Sequence, residues 1–142
     1  MAYNILVVDD SLPMRAVIKK VVKASGFDVG EFFEAANGKE ALDVLKDSWV
    51  DLVLTDYNMP DMDGLELLAA IKGDEIMKEI PVVMITTEGS QQRIREFIDK
   101  GAAAYVKKPF TPDEMKSKLC QIMGEPEDGE EGFDGGDDEF DF

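Results

Sequence analysis

Residues 50–64 read VDLVLTDYNMPDMDG, and this stretch decides the fold. Val50, Leu52, Val53 and Leu54 read as a buried strand, with Asp56 just past its end. A second apolar run, Tyr3-Asn4-Ile5-Leu6-Val7-Val8, also ends in acid, at Asp9-Asp10. Two strand ends carrying three carboxylates make one site, provided the strands lie side by side. Carboxylates that close repel by roughly 4 kcal/mol per pair at about 4 Å and an effective dielectric near 20. A divalent cation removes that cost, and hard, oxygen-seeking Mg²⁺ is the ion expected beside phosphate.

Working outward, strand and helix patterns alternate through five units. Strands are expected at residues 3–8, 31–35, 51–54, 81–85 and 103–106. The first, third and fourth are nearly continuous apolar runs, as in central strands of a parallel sheet covered on both faces. The first helix follows Asp10-Ser11, with Met14, Val17, Ile18, Val21 and Val22 as its buried stripe. Asn37…Glu40 and Asp63…Glu66 open the second and third helices as capping boxes. Ser90 is expected to cap the fourth, with Ile94, Phe97 and Ile98 facing inward and Gly101 closing it. Thr111-Pro112-Asp113-Glu114 opens the fifth, whose stripe is Met115, Leu119 and Ile122.

Neither G-x-G-x-x-G nor a P-loop is present, so nothing in the repeat marks a dinucleotide or nucleotide triphosphate. The expected fold is a flavodoxin-like, doubly wound, five-stranded parallel sheet, order 2-1-3-4-5, with five helices. Strands one and three are then neighbours at the topological switch point, where ligands bind beyond the carboxyl ends of the strands. That order brings Asp9, Asp10 and Asp56 together.

Composition narrows the function. The chain has 142 residues, no histidine and one cysteine. Histidine acid–base chemistry and His-ligated metals are excluded. Cys120 lies in a helical stripe and reads as a core or boundary residue. No run is apolar and long enough to span a bilayer. No basic-then-apolar leader begins the chain, which points to the cytoplasm. The net charge is −16, with every Lys and Arg at or before Lys118. Residues 1–123 carry 15 bases against 21 acids, or −6, and residues 124–142 carry ten acids and no base. That balance argues against nucleic-acid binding, which needs a basic face.

Two further residues converge on the same sheet edge. The fourth strand ends in Thr86, and the fifth runs into Lys108-Pro109. Of the adjacent Lys107 and Lys108, the pre-proline Lys108 is assigned to the site and Lys107 to solvent. Three carboxylates, Mg²⁺ and one ammonium sum to zero charge. Such a set suits phosphoryl transfer, which needs positioning and charge stabilisation more than covalent chemistry.

With these residues in hand, the chain resembles a receiver domain of bacterial two-component response regulators, especially the stand-alone chemotaxis type, the CheY family. The resemblance rests on the acidic pair Asp9-Asp10, D-x-x-M-P-x-M-D-G at residues 56–64, Thr86, and Lys108-Pro109. It covers residues 2 to about 123. It implies that Asp56 accepts a phosphoryl group from a histidine kinase, and that the protein catalyses only its own phosphoryl transfer and autodephosphorylation. Asp10, Asp56 and the backbone carbonyl of Asn58 would hold Mg²⁺ directly, and Asp9 largely through water. Lys108 would bond the phosphoryl oxygens, with a cis peptide to Pro109. Thr86 would move toward the phosphoryl group and Tyr105 rotate inward behind it, re-shaping the face of the fourth helix, fifth strand and fifth helix for a flagellar switch or other output protein. Asn58 and Glu88 occupy the positions that tune phosphoryl lifetime, and a phosphatase partner is possible.

Simpler readings exist for each residue: Asp10 as a helix cap, Asp56 as a turn residue, Thr86 as a strand threonine, Lys108 as a solvated lysine, Tyr105 as core. Four strand ends supplying a complementary set argue against taking them singly. Two alternatives stand beside chemotaxis signalling. One is a phosphorelay intermediate or phosphate sink. The other is a Mg²⁺-dependent phosphatase with an aspartyl nucleophile, although Asp9-Asp10-Ser11 lacks the D-x-D such enzymes need. Residues 124–142 read as a disordered acidic tail. Its simplest role is solubilising, but Phe133, Phe140 and Phe142 interrupt the acids, which plain solubility does not require, so the segment also reads as a docking peptide whose aromatics anchor in a groove on a partner.

Overall fold

The structure is a computed structural model and describes residues 2–124. Five strands, β1 (Tyr3–Val8), β2 (Val29–Ala35), β3 (Leu52–Asp56), β4 (Val82–Thr86) and β5 (Ala104–Lys107), alternate with α1 (Leu12–Ala24), α2 (Gly38–Asp47), α3 (Gly64–Lys72), α4 (Gln91–Asp99) and α5 (Pro112–Met123). All pairings are parallel, in the order β2-β1-β3-β4-β5. The expected fold class is therefore the observed one.

Alternation along the strands builds two cores. Leu6 and Val8 of β1, with Val53, Val82 and Met84, pack with Leu67, Leu68, Ile71 and Phe97 from α3 and α4. Ile5 and Val7 point the other way, with Leu52, Leu54, Val83 and Ile85, against Ile18 and Val22 of α1 and Met115 and Leu119 of α5. Strands apolar on both faces are what a sheet sandwiched by helices requires. Cys120 is half-buried at the edge of the second core.

The caps form as expected at Ser90, Asp63 and Thr111, the last two as closed capping boxes. Asn37 caps α2 by accepting from the Glu40 N–H, but the Glu40 carboxylate accepts from the Ala36 N–H, one residue upstream of the cap. Strand bounds differ from expectation at the ends. β2 begins at Val29, and β3, β4 and β5 reach Asp56, Thr86 and Lys107. Asp56 is thus the last residue of its strand, not the first of the loop. Two stripe residues are corrected as well. Val17 is 46% exposed and Ile98 47%, because the cores are filled by Ile18, Val22 and Phe97, each fully buried. Among the described residues no helix is long and apolar enough to cross a membrane. The tail expected at residues 124–142 lies, from residue 125 on, outside the described residues.

Candidate functional site

The site forms where β1 and β3 end side by side. Val8 pairs with Thr55, so Asp9 and Asp56 emerge from adjacent strands. Carboxylate oxygens of Asp9, Asp10 and Asp56 lie within 4.8 Å of one another. Asp9 and Asp56 are buried, at 2% and 6% exposure, whereas Asp10 is exposed. Asp9 Oδ1 accepts the Ser11 N–H at 2.9 Å. Its other oxygen, Oδ2, is buried without a hydrogen-bond partner among the described residues. Burial first, then repulsion from Asp56 and Asp10, raises the Asp9 carboxyl above its ordinary range, against the lowering by the Ser11 N–H and Lys108.

Lys108 supplies the counter-charge. Its ammonium donates to Asp56 Oδ1 at 2.9 Å and stands 3.8 Å from Asp9 Oδ2. Lys107, at the end of β5, is exposed, whereas Lys108, one residue on, is half-buried. The Lys108–Pro109 peptide is cis. Thr86 is buried at the end of β4, where its hydroxyl accepts the Glu88 N–H at 2.9 Å. Asn58 is exposed on the loop after β3. Glu88 forms an ion pair of 3.4 Å with Arg93, whose guanidinium lies 4.8 Å from the Tyr57 ring. Tyr105 is half-buried, outside the fully buried core. Its ring sits 4.8 Å from the Lys118 ammonium and borders an open groove with Ile94 and Ile98.

Two site supports were not read from the sequence. Arg15 donates to the Asp9 carbonyl at 2.7 Å and to Glu34 Oε1 at 2.9 Å, tying α1, the β1 end and β2 together. A cation in the first turns of a helix opposes the helix dipole, and that misfit was the available signal for a local acceptor. Gly64 is the second. A Cβ there would lie 2.6 Å from Met84 Sδ, 2.8 Å from the Asp56 carbonyl and 2.9 Å from Tyr57 Cα. Glycine in this place lets α3 start directly against the end of β3.

Chemically, the cluster can hold a hard divalent cation. Three carboxylates, one carrying an orphaned buried oxygen, form an oxygen-only donor set of the kind Mg²⁺ takes. A buried carboxylate beside an ammonium can also serve as a nucleophile toward phosphorus.

The fold and this cluster define a class: the chain belongs to the response regulator receiver domain family, whose pattern matches residues 5–120. Within that family it is CheY-like. It is 42% identical over 124 residues to the chemotaxis protein CheY1 of Helicobacter pylori, covering 85% of this chain and 97% of that one. It is 40% identical over 122 residues to a chemotaxis protein CheY homolog of Campylobacter jejuni, covering 85% and 92%. Among solved structures, the chemotaxis response regulator CheY4 of Vibrio cholerae superposes with a TM-score of 0.77 at 31% identity, over 87% of this chain and all of that one.

Proposed function

We propose that this protein is a phosphorylation-switched, single-domain response regulator that acts in the cytoplasm and signals by protein–protein contact in chemotaxis. The observation that carries this reading is the Lys108–Asp56 contact of 2.9 Å inside the three-carboxylate cluster. An Asp56 oxygen attacks the phosphorus of a kinase phosphohistidine. The P–N bond breaks, the P–O bond of an acyl phosphate forms, and the imidazole keeps the electron pair. Water later attacks the same phosphorus and returns free phosphate and the carboxylate. Asp10, Asp56 and the Asn58 carbonyl would hold Mg²⁺, with Asp9 behind them, and the ion would neutralise charge on the transferring group. Lys108 orients Asp56 in the resting state and turns to the phosphoryl oxygens afterwards. Asn58 and Glu88 flank the path of the hydrolytic water and set the lifetime.

Loss of the Lys108 bond and the arrival of phosphoryl oxygens give Thr86 a new acceptor. Its movement leaves room for Tyr105, which already borders the groove with Ile94 and Ile98. The face of α4, β5 and α5 would thereby offer a different surface to a flagellar switch or other output protein.

The test is a comparative pull-down from cell extract, using protein activated with Mg²⁺ and beryllofluoride against Asp56→Asn treated alike. Flagellar-switch proteins held only by the activated bait support the proposal. Recovery of kinases or phosphotransfer proteins equally by both baits would point to a relay or phosphate sink instead. Turnover of free phosphomonoesters would revive the phosphatase reading.

A further inference from the structure

Helix α1 stands apart electrostatically. It carries Arg15, Lys19, Lys20 and Lys23 and no acid, in a chain of net charge −16. Each other described helix contains at least one acid. Arg15 and Lys19 are engaged by Glu34, at 2.9 and 2.6 Å. Lys20 and Lys23 are exposed and have no ion-pair partner among the described residues. Around them, on the same outward arc of the helix, lie Leu12 at 65% exposure and Val17 at 46%, with Ala16 between. This arc is apolar and cationic, which is not the composition of an ordinary solvated helix face.

The arc adjoins an open groove of about 750 Å³ between α1 and the start of β2. Lys19, Lys23, Phe27, Val29 and Phe32 line it, with Asp28 and Glu31 on the β2 side. Lys23 stands 5.7 Å from the centroid of Phe32, so cation and aromatic surface are presented together. Among the described residues β2 is an edge strand, paired on one side only, by β1.

The end of α5 is linked to this groove through Tyr3. The Tyr3 hydroxyl donates to the Met123 carbonyl at 3.2 Å, and the Tyr3 ring stacks on Phe27 at 5.4 Å, with an 18° angle between the planes. The last residue of α5 is therefore two contacts from a residue that lines the groove. Beyond α5 the chain continues as the acidic segment 124–142, with ten acids, no base and three phenylalanines. Phe133 is nine residues past Gly124, a reach of up to about 30 Å when extended.

We propose that residues 124–142 dock back onto their own domain at this place. Phe133 enters the groove against Phe32 and Val29, and the flanking carboxylates meet Lys20 and Lys23. Attachment beside the site raises the effective concentration of the segment, so weak contacts suffice. The groove lies at the opposite end of the sheet from Asp56, because it adjoins the start of β2 whereas Asp9 and Asp56 stand at strand ends. Docking therefore leaves the acidic cluster uncovered.

The experiment compares backbone amide shifts of the isotope-labelled full chain with those of Phe133→Ala and of Lys20→Glu/Lys23→Glu. Both variants are expected to move the same set of amides within residues 19–32. The effect should shrink as salt rises, since the screening length falls from about 10 Å at 0.1 M to about 3 Å at 1 M. It should persist through a roughly tenfold dilution, as an intramolecular contact does. Phosphorylation of Asp56 by a small phosphodonor should be equal in all three proteins, which separates this proposal from that of the phosphoryl switch. Three outcomes would overturn it: no shift in residues 19–32; shifts gathered instead at Ile94, Ile98 and Tyr105; or shifts that vanish on dilution, which would assign the segment to a second copy.

Discussion

Lys108 reaches across 52 residues of sequence to donate its ammonium proton to Asp56 Oδ1 at 2.9 Å. The same ammonium lies 3.8 Å from Asp9 Oδ2, so one cation offsets two buried carboxylates. Replacing it by a neutral chain leaves those charges uncompensated. Lys108→Met is expected to destabilise the metal-free protein by about 1–3 kcal/mol. Mg²⁺ should restore more stability to this variant than to the wild type, because it faces a more negative site. Urea unfolding with and without Mg²⁺ measures both; equal Mg²⁺ increments would remove the counter-charge argument.

Asp9 sets a pH dependence of opposite sense to the usual carboxylate. Burial, with Asp56 and Asp10 adding to it, raises its folded-state pKa, so the folded protein binds the proton more tightly than the unfolded chain. The associated stability is full below the unfolded carboxylate pKa and is lost as pH rises through the folded value. Asp9→Asn keeps an oxygen for the Ser11 N–H and removes the charge. It should stabilise the metal-free protein at neutral pH by about 1–2 kcal/mol and flatten this part of the profile. Thermal unfolding across the acid range in chelator reads the result, and a destabilised variant would contradict it.

Glu34 shows the ordinary sign. The hydrogen bonds from Lys19 and then Arg15 lower its pKa, so its contribution is present above the unfolded pKa and disappears as pH falls through the folded one. The pair is partly solvated, and Glu34→Gln should cost only about 0.5–1 kcal/mol at neutral pH. The loss should vanish in acid. A cost that survives at low pH would mean packing, not charge, holds α1 to β2.

Gly64→Ala tests the close approach of α3 to β3. The added methyl would press on the backbone at Asp56 and Tyr57 as well as on Met84 Sδ, and backbone yields less readily than a side chain. A loss of about 1–3 kcal/mol is expected from this overpacking. Displacement of the Asp56 carboxylate should also slow its labelling by a small phosphodonor. Unchanged labelling in a folded variant would show that the strand end is not held by this contact.

Much of this was legible in the chain because it is local. Capping residues satisfy N–H groups two or three positions away, and Ser90, Asp63 and Thr111 cap as their spacing implied. The pre-proline position singled out Lys108 over Lys107, because proline restricts the backbone of the residue before it. Arg15 was missed because its acceptors, the Asp9 carbonyl just past β1 and Glu34 of β2, meet only when the two strands pair. Val17 and Ile98 were misplaced because a helical stripe gives the direction of a face but not its width. How much of that face is covered depends on the sheet and the neighbouring helices.

The sequence by itself determined the alternating βα units, the parallel sheet and the set of acids, hydroxyl and ammonium at strand ends. It could do so because period, capping and charge are properties of short stretches. Only the tertiary structure decided which oxygen of Asp9 is orphaned, that Lys108 spans both buried carboxylates, and that Tyr3 links Met123 to Phe27. Those relations join residues far apart in the chain, and their distances follow from how strands and helices pack, which no local pattern encodes.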